Sequence, residues 1–208
     1  MKIFLRPRYS IDGGDFLFCA TYAMISGKRS NREEGNTMDR QKRAVAIHDI
    51  SCVGKCSLTV ALPILSAAGI ECSVLPTAIL STHTGGFTGY TFLDLTEEML
   101  PIVRHWEKEN IQVDALYSGY VGSDAQFPII REVFQRLRRK DTLIMVDPVM
   151  ADNGRYYPGF SPKTAEGMRT LCEMADVLGP NMTEAAFLLG EEYREGPYDS
   201  AYLEHLLK

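Results

Sequence analysis

The residues with most chemistry to offer lie in the run TLIMVDPVMADNG, Thr142 to Gly154. Leu143, Ile144, Met145 and Val146 read as a buried strand that delivers Asp147 to its carboxyl end, where Pro148 has no amide hydrogen with which to continue a ladder. In an open parallel α/β sheet that edge is where ligands bind. A second acid, Asp152, follows in a loop ending at Gly154. Two carboxylates held there suit a divalent cation and the phosphates it carries. The competing reading is that Asp147 only caps a turn, the commoner fate of an isolated Asp-Pro pair. Further on, GPNMTE places Asn181 and Glu184 on adjacent turns beyond another strand end, within reach of the same cation and phosphates. Glu184 also reads as an ordinary first-turn acid favoured by the helix dipole, behind a Thr183 cap.

Three other stretches carry polar groups in suggestive order. Ser81 to Tyr90, STHTGGFTGY, combines hydroxyls, the His83 imidazole beside Thr84, glycines and two aromatics. Such a segment either closes over a flat ring or forms a ligand-free glycine-rich hairpin. In SGYVGS, Gly119 and Gly122 let backbone approach a ligand, and Tyr120 either faces that ligand or packs. Gly54-Lys55 lacks the second glycine and the Lys-Ser/Thr pair of a P-loop, so that reading is rejected. Cys52 and Cys56 have no second pair to complete a zinc site.

The elements that must position these groups alternate. Ala44–Ile50, Ile70–Pro76, Val113–Tyr117, Leu143–Val146 and Ala175–Leu178 read as strands. Helices are expected from Leu58, with Ser57 as cap and Pro63 as a kink or later start, from Thr96 to about Asn110, and from a Ser123 cap to Arg139. Ser161-Pro162, Glu184 and Asp199 open three more. The order predicts an α/β fold with a mainly parallel central sheet flanked by helices.

Composition sets the outer limits. The chain has 208 residues, 45% hydrophobic and 24% charged, enough for one domain with a sizeable core. A net charge of -5 argues against a nucleic-acid footprint, and the basic cluster Arg136, Arg138, Arg139 and Lys140 reads as a solvated helix end. Five cysteines without paired spacing fit reduced thiols in a cytoplasm. Residues 1–43 read as a poorly structured extension, with an apolar piece too short to span a bilayer, and residues 44–208 as the domain proper. Met38, just before the first convincing strand, is an expected alternative start of translation.

Taken together, AIHDISCVGKCSLTVALPILSAAGI, LSTHTGGF, SGYVGS, VDPVMADNG and GPNMTEA, in this order between about Arg43 and Gly190, resemble the pyridoxal/pyridoxamine kinases of the ribokinase-like superfamily. The resemblance implies ATP-dependent phosphorylation, with Mg²⁺, of the 5'-hydroxymethyl group of pyridoxal, pyridoxine or pyridoxamine. It places Asp49, His83, Thr84 and Tyr120 on the substrate ring. Asp147, Asp152, Tyr156, Asn181 and Glu184 fall on the ATP side, with Asp147 and Glu184 at the metal. It also implies a homodimer. The family's catalytic base, the aspartate of a Gly-Thr-Gly-Asp motif, has no counterpart in these 208 residues. General-base help is typically worth about 10²- to 10⁴-fold, so the expectation is an incomplete kinase domain, cut short before that motif and inactive or nearly so. The alternatives are a hydroxymethylpyrimidine (phosphate) kinase, which shares the Asp-Pro-Val and Pro-Asn-x-x-Glu motifs, and a non-catalytic vitamer-binding fragment.

Overall fold

The computed structural model describes residues 2–3 and 40–207. Met38 and most of the expected extension lie outside the described residues. The described chain runs β1 (Lys2–Ile3), β2 (Arg43–Ser51), α1 (Leu58–Ala67), β3 (Glu71–Leu80), β4 (Phe92–Asp94), α2 (Thr96–Lys108), β5 (Ala115–Ser118) and α3 (Gln126–Leu137). It continues through β6 (Leu143–Val146), β7 (Ala151–Asp152), β8 (Arg155–Tyr156), α4 (Pro162–Cys172), β9 (Val177–Leu178), α5 (Met182–Leu189) and α6 (Ser200–Leu206). The main sheet has the order β1-β9-β6-β5-β2-β3-β4. All its pairings are parallel except β3 with β4. This is the α/β, mainly parallel architecture expected from the alternating pattern.

Burial explains why the central strands read as unbroken apolar runs. Residues 44–49 of β2 are buried on both faces, because helices cover both sides of the sheet. Val45 and Ile47, with Leu116, Ile144 and Val146, face α2, α3 and α4 through Met99, Val103, Ile130, Phe134 and Met168. The alternate residues Ala46, Tyr117, Met145 and Val177 face α1 through Leu58 and Ala61.

Several local expectations are corrected. The second strand does not stop at Pro76 but runs on to Leu80, and its register with β2 slips between His48 and Ile50. His48 pairs with Pro76 and Ile50 with Ile79, so β3 carries an extra residue and the bulge re-aims Asp49. Ser57 makes no side-chain cap; its φ is 51°, and Thr59 Oγ1 instead accepts from Cys56 N at 3.3 Å. Pro63 lies inside α1 without delaying its start. The short antiparallel β4 was not expected, and Lys2–Ile3, expected to be poorly structured, pairs with Val177–Leu178. Ser161 and Thr164 form the expected helix start as a reciprocal capping box. Arg138 is not a merely solvated end: it donates to Met174 O and pairs with Asp176 at 3.0 Å.

Gly167 shows how tightly α4 packs on α3. A Cβ there would lie 2.2 Å from Cδ2 of the buried Phe127 ring. Helix propensity favours Gly167→Ala by about 1 kcal/mol, whereas overpacking a well-filled core costs about 1–3 kcal/mol. Because the obstacle is a buried aromatic ring, packing should win. Urea denaturation of Gly167→Ala should therefore give a lower midpoint than the parent, against the direction that propensity alone dictates.

Candidate active site

Parallel pairing brings the ends of β5, β6 and β9 level with Ile47 of β2, which itself runs on to Ser51. Gly119 N donates to Ile47 O at 3.2 Å, Asp147 N to Ser118 O at 2.8 Å and Gly179 N to Val146 O at 3.1 Å. Beyond that edge lies a cavity of about 380 Å³. Asp49, His83, Thr84, Tyr120 and Asp147, five of the residues singled out in the sequence, line it together. Asp49 and Asp147 are both buried. Asp49 Oδ2 accepts from Ser51 Oγ at 2.8 Å. The Tyr120 phenol is pushed up to about 12, first by burial, then by the Asp49 charge and by Tyr90. At neutral pH it is a hydrogen-bond donor.

The polar segment Ser81 to Tyr90, called the lid below for its position, lies against the loop after β2. His83 N donates to Val53 O at 3.0 Å, and the His83 ring covers Gly54 so closely that a Cβ there would lie 2.1 Å from its Cδ2. Gly54 itself has φ +117°, a conformation that favours glycine. His83 Nδ1 accepts from Gly85 N at 3.1 Å, and Phe87 packs edge-on against the ring. Ser81 Oγ accepts from Thr91 N at 2.9 Å where the lid closes.

Asp152, Tyr156, Asn181 and Glu184 do not line this cavity. Asp152 and Tyr156 belong to the β7–β8 hairpin beside it; Asp152 accepts from Asn153 N at 2.8 Å and the Tyr156 ring stacks on Phe187 at 4.5 Å. Asn181, not Thr183, caps α5: its Oδ1 accepts from Glu184 N at 2.9 Å, while Glu184 Oε2 accepts from Asn181 N at 2.8 Å. Glu184 is fully buried, and its Oε1 accepts from Met150 N at 3.2 Å. Asn181 Nδ2 donates to Ala151 O at 2.8 Å. Thr183 Oγ1 accepts from Gly154 N at 3.0 Å. These three residues thus tie the segment following Asp147 to the start of α5.

Among the described residues, no three His, Cys, Asp or Glu side chains gather to hold a metal ion by themselves. Mg²⁺ needs less, since it is commonly held by one or two carboxylates together with substrate phosphates and water. Asp147, which faces the cavity, fits that arrangement. Glu184 fits it less directly, because each of its oxygens already accepts a backbone N–H.

Sequence reasoning passed over several lining groups: His48, Ser51, Cys56, Tyr117, Val149 and Tyr157. Most read as strand or packing residues, and only the position of His48 beside Asp49 at a strand end signalled its place. The His48 ring meets Tyr117 edge-on at 4.4 Å and fills the space a side chain at Gly119 would need.

Residues 62–208 match the protein family described as phosphomethylpyrimidine kinase. The chain belongs to that family. It sits with the pyridoxal kinases in the ribokinase-like superfamily, as its similarities show. A Bacteroides thetaiotaomicron protein provisionally named a phosphomethylpyrimidine kinase, crystallised with pyridoxal, is 43% identical, with a TM-score of 0.77 over 81% of this chain and 58% of that one. The pyridoxal kinase of Lactobacillus plantarum is 36% identical, with a TM-score of 0.72 over 81% and 59%. A Schizosaccharomyces pombe protein provisionally named a pyridoxal kinase is 28% identical over 74% of this chain and 50% of its own length. The chain therefore spans about half the length of that curated relative and under two thirds of the two crystallised ones.

The buried imidazole gives the site a pH signature. Burial pulls the His48 pKa down to about 3 from 6.5, so between those values the unfolded chain binds a proton that the folded one refuses. Stability is then lost as pH falls below about 6.5, with a slope approaching about 1.4 kcal/mol per pH unit. Urea midpoints between pH 7 and 5 should fall, and His48→Gln should flatten that fall; an equal slope in both proteins would contradict a neutral His48.

Proposed function

We propose that this domain binds a B6 vitamer, pyridoxal foremost, in the cavity beyond β2 and β5, and presents its 5'-hydroxymethyl group to ATP bound on the Asp147 side. The observation that carries the reading is the convergence of Asp49, His83, Thr84, Tyr120 and Asp147 on one cavity of about 380 Å³ at the carboxyl edge of a parallel sheet. Val60, Ala61 and Tyr117 line the same cavity as the lid residues and would offer apolar surface to a flat ring. The Tyr120 hydroxyl donates to a ring substituent and Asp49 accepts from one, while Thr84 closes from above. Among relatives, the Bacteroides protein crystallised with pyridoxal supports the vitamer over the pyrimidine.

On the nucleotide side, Asp147 would hold Mg²⁺ carried by the ATP phosphates. Its chemistry when bound is to neutralise charge on the transferring phosphoryl group. Asp152 and Tyr156 reach the nucleotide from the β7–β8 hairpin. Asn181 and Glu184 act by fixing the backbone around Met150 and Ala151, which sets where Asp147 points.

The second reading, a hydroxymethylpyrimidine substrate, is favoured by the name of the matching family. Calorimetric titration of the chain with both compounds decides between them. Pyridoxal should bind at least about tenfold more tightly than the pyrimidine, and Tyr120→Phe should weaken pyridoxal by about three- to tenfold, the worth of one hydrogen bond. Tighter binding of the pyrimidine, or no binding of pyridoxal, would overturn the proposal.

A further inference from the structure

Gln126 is the first residue of α3, a position usually open to solvent, yet its side chain is completely buried. A buried amide is costly unless its donors and acceptor are met, so its partners are informative. Its Oε1 accepts from Gly122 N at 2.8 Å. Its Nε2 donates to Thr77 O at 2.9 Å and to Thr96 Oγ1 at 3.0 Å, and reaches Asp94 Oδ1 at 3.3 Å. Thr77 lies in β3, Asp94 ends β4, Thr96 begins α2 and Gly122 closes the turn that carries Tyr120. One side chain therefore joins segments distant in sequence.

The join leads to both halves of the ring pocket. Thr77 Oγ1 donates to Tyr120 O at 3.3 Å. A Cβ on Gly122 would sit 3.3 Å from Cζ of Phe92, so the Tyr120 turn packs directly on the strand by which the lid returns to the sheet. That strand is exposed at all three residues and pairs with β3 alone. It has little burial of its own to hold it.

We propose that Gln126 is a positioning residue that clasps the lid's return strand to the Tyr120 turn, so that lid closure and placement of the Tyr120 hydroxyl occur together. The clasp rests on the ring-binding reading for its purpose, but its mechanical part does not. Hydrogen exchange on the unliganded chain tests that part. In Gln126→Leu, and in Thr96→Val, which removes one arm at the root of the lid, exchange at Gly122 and at Phe92–Asp94 should rise together by about tenfold, the worth of a net hydrogen bond. Thr96→Ser should restore parent values, and the amides of Leu116 and Ile144 should not change in any variant.

Pyridoxal titration then tests the purpose. Affinity should fall about tenfold in Gln126→Leu and about threefold in Thr96→Val, with Thr96→Ser like the parent. A rise in exchange at Gly122 alone, a uniform rise across the sheet, or unaltered affinity in a folded Gln126→Leu would overturn the clasp. Should Gln126→Leu fail to fold, the contrast between Thr96→Val and Thr96→Ser decides the matter. If the parent binds no pyridoxal, the ring-binding reading fails, while the paired exchange result still decides whether lid and turn are coupled.

Discussion

The backbone ladder joining β2, β5, β6 and β9 is the constraint on which the cleft depends. Parallel strands cannot be joined by tight hairpins, so each must end, turn outward and return through a helix. Here β5, β6 and β9 end level and hand their next residues to one rim, Gly119 and Tyr120 from β5, Asp147 from β6 and Gly179 from β9, while β2 runs past them and supplies Asp49 from within the strand. A bulge in the β2–β3 pairing adds a local adjustment at Asp49, before Ile50 and Ser51 resume pairing with β3. The cavity is thus a consequence of chain direction before it is a consequence of side-chain chemistry.

Three acids near this rim meet different environments, and the differences assign them different work. Glu184 is wholly buried and accepts backbone N–H groups from Asn181 and Met150, as a buried carboxylate must if it is not to be ruinously expensive. Its role is to hold the chain that leaves Asp147. Asp49 and Asp147 instead line the cavity, beside a phenol that stays protonated and an imidazole that stays neutral. Two carboxylates with no cationic side chain among the lining residues disfavour a bare polyphosphate. They would favour one that arrives with its metal, which is the physical argument behind the proposed magnesium nucleotide.

Much of this was legible because it is written in short-range patterns. Buried parallel strands read as apolar runs, and Asp147 before Pro148 marks a strand end without ambiguity about direction. Ser161-Pro162 and Asp199 announce helix starts that the structure retains. What could not be read depends on partners far away in sequence. Asn181 competes with Thr183 for the same cap, and Thr183 is diverted to Gly154. β4 exists only because β3 runs past Pro76 and offers it an edge. Gln126 reads as a polar residue at a helix start, and its burial follows from four segments meeting there. His48 is signalled in sequence by its position beside Asp49, but its packing appears when Tyr117 and Gly119 are set beside it.

In the proposed function, residues of four separate segments face one shared ring pocket. Titrating unlabelled pyridoxal into the ¹⁵N-labelled chain and following amide shifts tests it directly. The account predicts concerted, saturable shifts at Asp49, Thr84, Gly119 to Gly122 and Asp147, all fitting one dissociation constant, with the outer face of α3 around Arg131 and Gln135 unmoved. Shifts confined to one of these segments, or fitting different constants at different segments, would contradict it.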